Sequence, residues 1–134
     1  GVSQMTRLDD FVKRRHELAR RYDEMLADLP VLTPWQHPDS YSGLHLYVIR
    51  LKLTEIRASH REVFESLRNQ GIGVNLHYIP VHTQPFYEAM GFATDDFPES
   101  MKYYSEAISI PMYHGLTFEQ QDAVVEALKQ ALSV

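Results

Sequence analysis

The segment Gly71-Ile-Gly-Val-Asn-Leu-His-Tyr-Ile-Pro-Val-His-Thr-Gln-Pro-Phe-Tyr87 restricts the architecture of this chain more than any other. Gly71 can supply the left-handed residue that stops a helix, Ile72 to Leu76 reads as a short strand of buried type, and Pro80 and Pro85 stiffen the backbone beyond it. A helix stop set directly against a strand makes this a layered chain of helices and sheet. The same segment is also where a site is expected. A chain leaving a strand can aim polar side chains at a ligand from a rigid base, and His77, Tyr78 and His82 crowd this exit.

Helical and strand signals alternate along the rest of the chain. Met5, Leu8, Phe11/Val12, Leu18/Ala19, Tyr22, Met25/Leu26 and Leu29 form a 3.6-period stripe, with Ser3 or Thr6 as candidate caps and Pro30 as the stop. Pro30 to Gly43 is expected to be an ordered surface loop, with Trp35 anchoring it to the body rather than stacking on a ligand. Leu44 to Leu53 reads as a central strand, since both of its faces begin apolar. Ser59-His-Arg-Glu62 is a capping box that opens a helix with Val63, Phe64 and Leu67 inward. Pro98 fits the first turn of another helix, through Met101, Tyr104 and Ala107, leading to the strand Ile108-Ser-Ile110. Thr117-Phe-Glu-Gln120 is a second capping box, before a terminal helix with Val124, Val125, Leu128, Ala131 and Leu132 buried. The expected order is helix, strand, helix, strand, helix, strand, helix.

The 134 residues suit one domain, and 44% hydrophobic with 23% charged residues is the composition of an ordinary globular protein. No apolar run reaches the ~18 residues of a membrane span. A net charge of -5 argues against a nucleic-acid partner, and the basic cluster Lys13-Arg14-Arg15 with Arg20-Arg21 is interleaved with Glu17, Asp23 and Glu24, as on a solvated helix face. The lack of cysteine excludes disulfides and thiolate chemistry and is compatible with the cytoplasm.

No complete catalytic set emerges. His77 and His82 lie across a proline, without a metalloprotease motif or paired cysteines, so no metal site is expected. No serine sits in a glycine-flanked elbow, and Gly71-Ile-Gly73 follows a helix, whereas a phosphate loop follows a strand. A Schiff-base lysine needs a desolvated setting beside a cofactor. Lys13 and Lys129 fall on polar helix faces, Lys102 at a helix start and Lys52 near a strand end. The opening Gly1-Val2, without Met and almost on top of a periodic helix, reads like the start of a cut piece. A freestanding module that binds a small metabolite at the His77 to Tyr87 edge is the alternative to an enzyme part.

Leu8-Asp-Asp-Phe-Val-Lys-Arg-Arg-His16, Tyr22-Asp-Glu-Met-Leu26, Leu44-His-Leu-Tyr-Val-Ile-Arg50, Gly71 to His82, Gln84-Pro-Phe-Tyr87 and Ile108-Ser-Ile-Pro-Met-Tyr113 together resemble the C-terminal domain of the DegT-type nucleotide-sugar aminotransferases. Within that family, His-Tyr-Ile-Pro-Val-His-Thr-Gln-Pro is most similar to the enzymes of pseudaminic acid synthesis. The resemblance implies a small α+β domain, its mostly antiparallel sheet packed with helices, from a pyridoxal-phosphate enzyme of the aspartate-aminotransferase fold type. Residues 1–134 would form the C-terminal small domain, with 1–30 a long inter-domain helix and the catalytic large domain, including the cofactor lysine, outside the chain. It further implies a cytoplasmic homodimer that transfers an amino group from glutamate to C4 of a UDP-linked 4-keto-6-deoxy-N-acetylhexosamine, and an inactive isolated chain. By motif match His77 and Tyr78 would contact the sugar, with His82 a weaker candidate and structural support slightly favoured for it. Imidazole and phenol both hydrogen-bond hydroxyls or phosphates while offering an apolar ring to a hexose.

Overall fold

A computed structural model describes residues 1–133 as helices packed on one three-stranded sheet. The long N-terminal stripe is not one helix. It divides into α1 (Val2–Met5) and α2 (Leu8–Leu26), separated at Thr6-Arg7. Neither Ser3 nor Thr6 caps α2: the Thr6 hydroxyl donates back to the Ser3 carbonyl at 2.7 Å, and Arg7 occupies the N-cap position with no side-chain cap. Only the later part of the stripe, Leu18, Ala19, Tyr22 and Leu26, is buried, while Met5 and Leu8 face solvent. The helix also ends at Leu26, short of Pro30.

After Pro30 the chain forms a short strand that the sequence did not signal, β1 (Val31–Leu32). It pairs antiparallel with β2 (Tyr47–Leu51), Val31 opposite Leu51. β2 is central, as its two apolar faces imply, but shorter than Leu44 to Leu53. Leu44 takes a positive φ of 46°, which no strand residue adopts, and Leu53 and Thr54 lie in a turn. The alternation expected of a strand is present: Tyr47, Ile49 and Leu51 are fully buried, whereas Val48 and Arg50 are half-buried on the other face. β3 (Ala107–Ile110) completes the sheet, antiparallel to β2 with Tyr47 opposite Ile110.

Both capping boxes form. Ser59 Oγ accepts from the Glu62 amide at 3.1 Å while Glu62 Oε2 accepts from the Ser59 amide at 2.7 Å, which starts α3 (His60–Asn69). Gly71, at φ +81°, stops α3, with its amide bonded to the Arg68 carbonyl and the Ile72 amide to the Leu67 carbonyl. The Thr117–Gln120 box starts the terminal helix α6 (Phe118–Leu132) in the same way. Helices α2, α3 and α6 share one core cluster with the Tyr47/Ile49/Leu51 face of the sheet. Within it the fully buried Gln121 donates to the Leu18 carbonyl at 2.9 Å and accepts from Arg21.

Two further expectations need correction. Ile72 to Leu76 is not a full strand: only Asn75 pairs, with Ser109, in an isolated antiparallel bridge. Pro111 lacks the amide that would extend this ladder beyond β3. The helix that Pro98 begins, α5 (Pro98–Glu106), buries none of its residues fully, and Ala107 belongs to β3. It lies beside β2, with Glu106 ion-paired to Arg50 at 2.9 Å and the Arg50 guanidinium 5.2 Å from the centre of the Tyr103 ring.

Candidate functional site at the exit of Asn75

The bridge at Asn75 fixes the start of the candidate segment to the sheet edge, because Asn75 and Ser109 exchange both backbone hydrogen bonds, at 2.8 and 3.1 Å. Beyond it the chain turns away. Pro80 is buried, and its carbonyl accepts from both the amide and the hydroxyl of Thr83, which winds Val81–Thr83 into one 3-10 turn. Pro85 then occupies the first position of the short helix α4 (Pro85–Glu88). Gly91, at φ +101°, reverses the chain toward a second 3-10 turn, Thr94–Asp96.

The three candidate side chains part company here. His82 is buried, its Nε2–H donating to the Thr94 carbonyl at 3.0 Å and its ring standing edge-on to Phe97, 4.8 Å between centroids. It joins the two turns of the segment and so acts as a structural support. Tyr78 is 78% exposed, and its phenol has no hydrogen-bond partner among the described residues. His77 is half-buried beside it, the two rings edge-to-face at 4.8 Å and 85°. Its Nε2 is buried without a partner among the described residues. A buried imidazole nitrogen left unpaired is uncommon, and it can donate to or accept from a ligand according to its tautomer. His77 and Tyr78 thus offer adjacent hydrogen-bonding groups framed by apolar rings.

Two grooves carry no clear signal in the sequence. Leu76, one residue before His77, closes a groove of about 760 Å3 along α3 that also carries Phe64, Arg61 and Arg68. On the outer face of the sheet, Trp35 is 78% exposed and borders a second groove of about 470 Å3, with Leu46, Val48, Arg50 and Tyr103. The anchoring role expected of Trp35 is therefore wrong. The ring stands edge-on to His37 and leaves the core to Leu44 and Val31. In the sequence that sheet face is only the second apolar face of a central strand, and Arg50 is its one hint.

No lysine occupies a desolvated cofactor-type setting: Lys13 and Lys102 are exposed, Lys52 lies 3.8 Å from the exposed carboxylate of Glu55, and Lys129 lies 3.1 Å from that of Glu126. These residues do not fit a pyridoxal-type group. Among the described residues no three His, Asp or Glu side chains converge as metal ligands, and no helix is long and apolar enough to cross a membrane.

Known proteins resemble this chain in both sequence and fold. The model of the DegT/DnrJ/EryC1/StrS aminotransferase family matches residues 1–129. The spore coat polysaccharide biosynthesis protein SpsC of Bacillus subtilis (strain 168) is 36% identical over 132 residues, which are 96% of this chain and 34% of that protein. The PLP form of a putative sugar aminotransferase from Streptococcus pneumoniae superimposes with a TM-score of 0.87 at 26% identity, over 98% of this chain and 33% of that one. Helicobacter pylori PseC, an aminotransferase involved in the biosynthesis of pseudoaminic acid, gives 0.85 at 27% identity, over 98% and 35%. The chain therefore spans about a third of the length of the relatives it matches.

Proposed function

This chain belongs to the DegT/DnrJ/EryC1/StrS aminotransferase family, and from that premise we propose that it is the C-terminal, substrate-covering domain of a pyridoxal-phosphate sugar aminotransferase. In the intact polypeptide residues 1–30 link it to a large domain that carries the cofactor and its lysine. The enzyme, a homodimer of the cytoplasm, moves an amino group from glutamate to C4 of a UDP-linked 4-keto-6-deoxy-N-acetylhexosamine. The likeness to PseC, together with the His77 to Pro85 wording, supports that substrate.

The observation that carries the reading is the pairing of exposed Tyr78 with the unpartnered buried Nε2 of His77 at the exit of a chain clipped to the sheet edge. These groups bind and orient: imidazole and phenol hydrogen-bond the sugar, and the exposed apolar side chains of Ile79, Val81 and Phe86 exclude water around it. His82 holds the wall in shape from behind. On this reading the chain supplies no Schiff-base lysine, in keeping with the solvated settings of Lys13, Lys52, Lys102 and Lys129.

In a full-length enzyme, His77→Ala and Tyr78→Phe should each reduce turnover of the keto sugar at least tenfold, as for loss of one positioned hydrogen bond of roughly 1.5 kcal/mol, and leave cofactor absorbance unchanged. Parental activity in both variants would overturn the site assignment. For the isolated chain, added pyridoxal phosphate should give no borohydride-trappable adduct at any single lysine. A stoichiometric adduct would overturn the statement that the lysine lies elsewhere.

A further inference from the structure

We propose that Arg7, Arg15 and His114 form a binding site for a phosphate-type oxyanion, none of whose residues belongs to the His77/Tyr78 segment. A cavity of about 660 Å3 opens between the beginning of α2 and the loop after β3, lined by Arg7, Phe11, Arg15 and His114 together with polar residues of α1 and Thr6. Arg7, Phe11 and Arg15 succeed one another at intervals of four and share one face of α2. The ring of His114 lies flat on that of Phe11, 4.0 Å between centroids and 24° between planes, which fixes the imidazole between the two arginines' helix and the cavity wall. Among the described residues no carboxylate lines the cavity.

Four arginines outside this cavity have carboxylate partners. Arg14, Arg21, Arg50 and Arg61 pair with Glu17, Asp122, Glu106 and Glu65. Arg7 and Arg15 pair with no carboxylate among the described residues. Arg20, Arg57 and Arg68 also lack one, but like Arg7 they are exposed and water solvates them, so Arg15 is the arginine set apart. Arg15 is half-buried, and its Nε is fully buried with no acceptor among the described residues. A guanidinium N–H removed from water without a partner is costly, and an oxyanion satisfies it through two parallel charge-assisted bonds. Two guanidinium groups and an imidazole, gathered without a counter-ion in a chain of net charge -5, call for a ligand bearing two or more negative charges. The cavity has the size of an ordinary small-ligand site.

The test is calorimetric titration of the 134-residue chain with inorganic pyrophosphate at low ionic strength, with amide chemical shifts to locate the site. Saturable one-to-one binding is expected, with shifts at residues 7–15 and 113–115. Arg15→Gln and Arg7→Gln should each weaken it at least about tenfold, as for loss of a charge-assisted contact. Arg20→Gln removes the same charge from an exposed point of the same helix and should leave it unchanged, as should His77→Ala. A thermal melt of each variant establishes that it is folded. Absence of saturation, shifts elsewhere, or equal losses in Arg15→Gln and Arg20→Gln would overturn the proposal. ADP separates two sources of the same chemistry. Binding tighter than pyrophosphate in the parent, lost in Phe11→Leu, supports the site as one for a nucleotide's phosphates. Equal affinities support it as one for free phosphates.

Discussion

The Nε2–H of His82 donates to the carbonyl oxygen of Thr94 across 3.0 Å, so that a side chain of one 3-10 turn closes the backbone of the next. His82→Ala removes this bond, leaves the Thr94 carbonyl without it and takes the ring from Phe97. A loss of about 1–3 kcal/mol is expected, read as a lower urea midpoint. Tyr78→Ala, at an exposed position, should stay within about 0.5 kcal/mol of the parent. Equal midpoints for the two variants would contradict the support assigned to His82.

Two buried tyrosines make stability fall at high pH. The Tyr47 hydroxyl donates to Asp23 and that of Tyr22 to the Pro111 carbonyl. Burial raises both above the ordinary tyrosine value, helped at Tyr47 by the hydrogen bond and charge of Asp23, and at Tyr22 by Tyr113 against the opposing charge of Arg21. The folded chain therefore keeps protons that the unfolded chain loses above about pH 10. Stability from these groups is complete below that pH and declines as pH rises beyond it, by about 1.4 kcal/mol per pH unit for each tyrosine. Denaturant unfolding from pH 8 to 11 should show the decline, and Tyr22→Phe with Tyr47→Phe should flatten it. An equally steep decline in the double variant would refute the assignment.

Gly71 and Gly115 separate backbone strain from crowding. A Cβ on Gly71 meets nothing within 4 Å, yet φ is +81°, so Gly71→Ala should cost about 1 kcal/mol through conformation alone. A Cβ on Gly115 meets the Tyr113 ring at an ordinary 3.7 Å, with no positive φ. Gly115→Ala should stay within about 0.5 kcal/mol of the parent. Thermal melts of the two variants decide it.

Arg50 sends Nε and Nη2 to the same Glu106 oxygen, at 3.0 and 2.9 Å, with both side chains largely shielded from solvent. A double-mutant cycle with Arg50→Ala and Glu106→Ala should give a coupling of about 1 kcal/mol. The i,i+4 pair Arg61–Glu65, at 2.9 Å but well exposed, should give about 0.3 kcal/mol and lose it in high salt. Coupling as small at Arg50–Glu106 as at Arg61–Glu65 would show that shielding adds nothing.

The features legible in the sequence are those that neighbours in the chain decide. Ser59 with Glu62, Thr117 with Gln120, and Gly71 act within one helical turn, and each does in the fold what its spacing implies. β1 is invisible there because two residues carry no periodicity, and Val31 is a strand only by lying opposite Leu51. The break at Thr6-Arg7 is hidden by an unbroken apolar stripe whose first members cover no core. Trp35 misleads because its area implies burial while its loop gives it nothing to bury against. At the candidate site, residue types single out His77, Tyr78 and His82 together. What separates His82 from the other two is the Thr94 carbonyl, and no local pattern reaches it. The approach of His114 to Phe11 is likewise invisible in a basic cluster that reads as a solvated face.

Asn75 meets the sheet in a single rung. The seam between scaffold and candidate edge is therefore one residue wide, and two backbone hydrogen bonds set the angle at which His77 and Tyr78 leave it. Their net worth, about 1–3 kcal/mol together, matches what one well-placed ligand group contributes. That angle can accordingly shift without disturbing β2 or the core behind it, so the edge is adjustable where its scaffold is not.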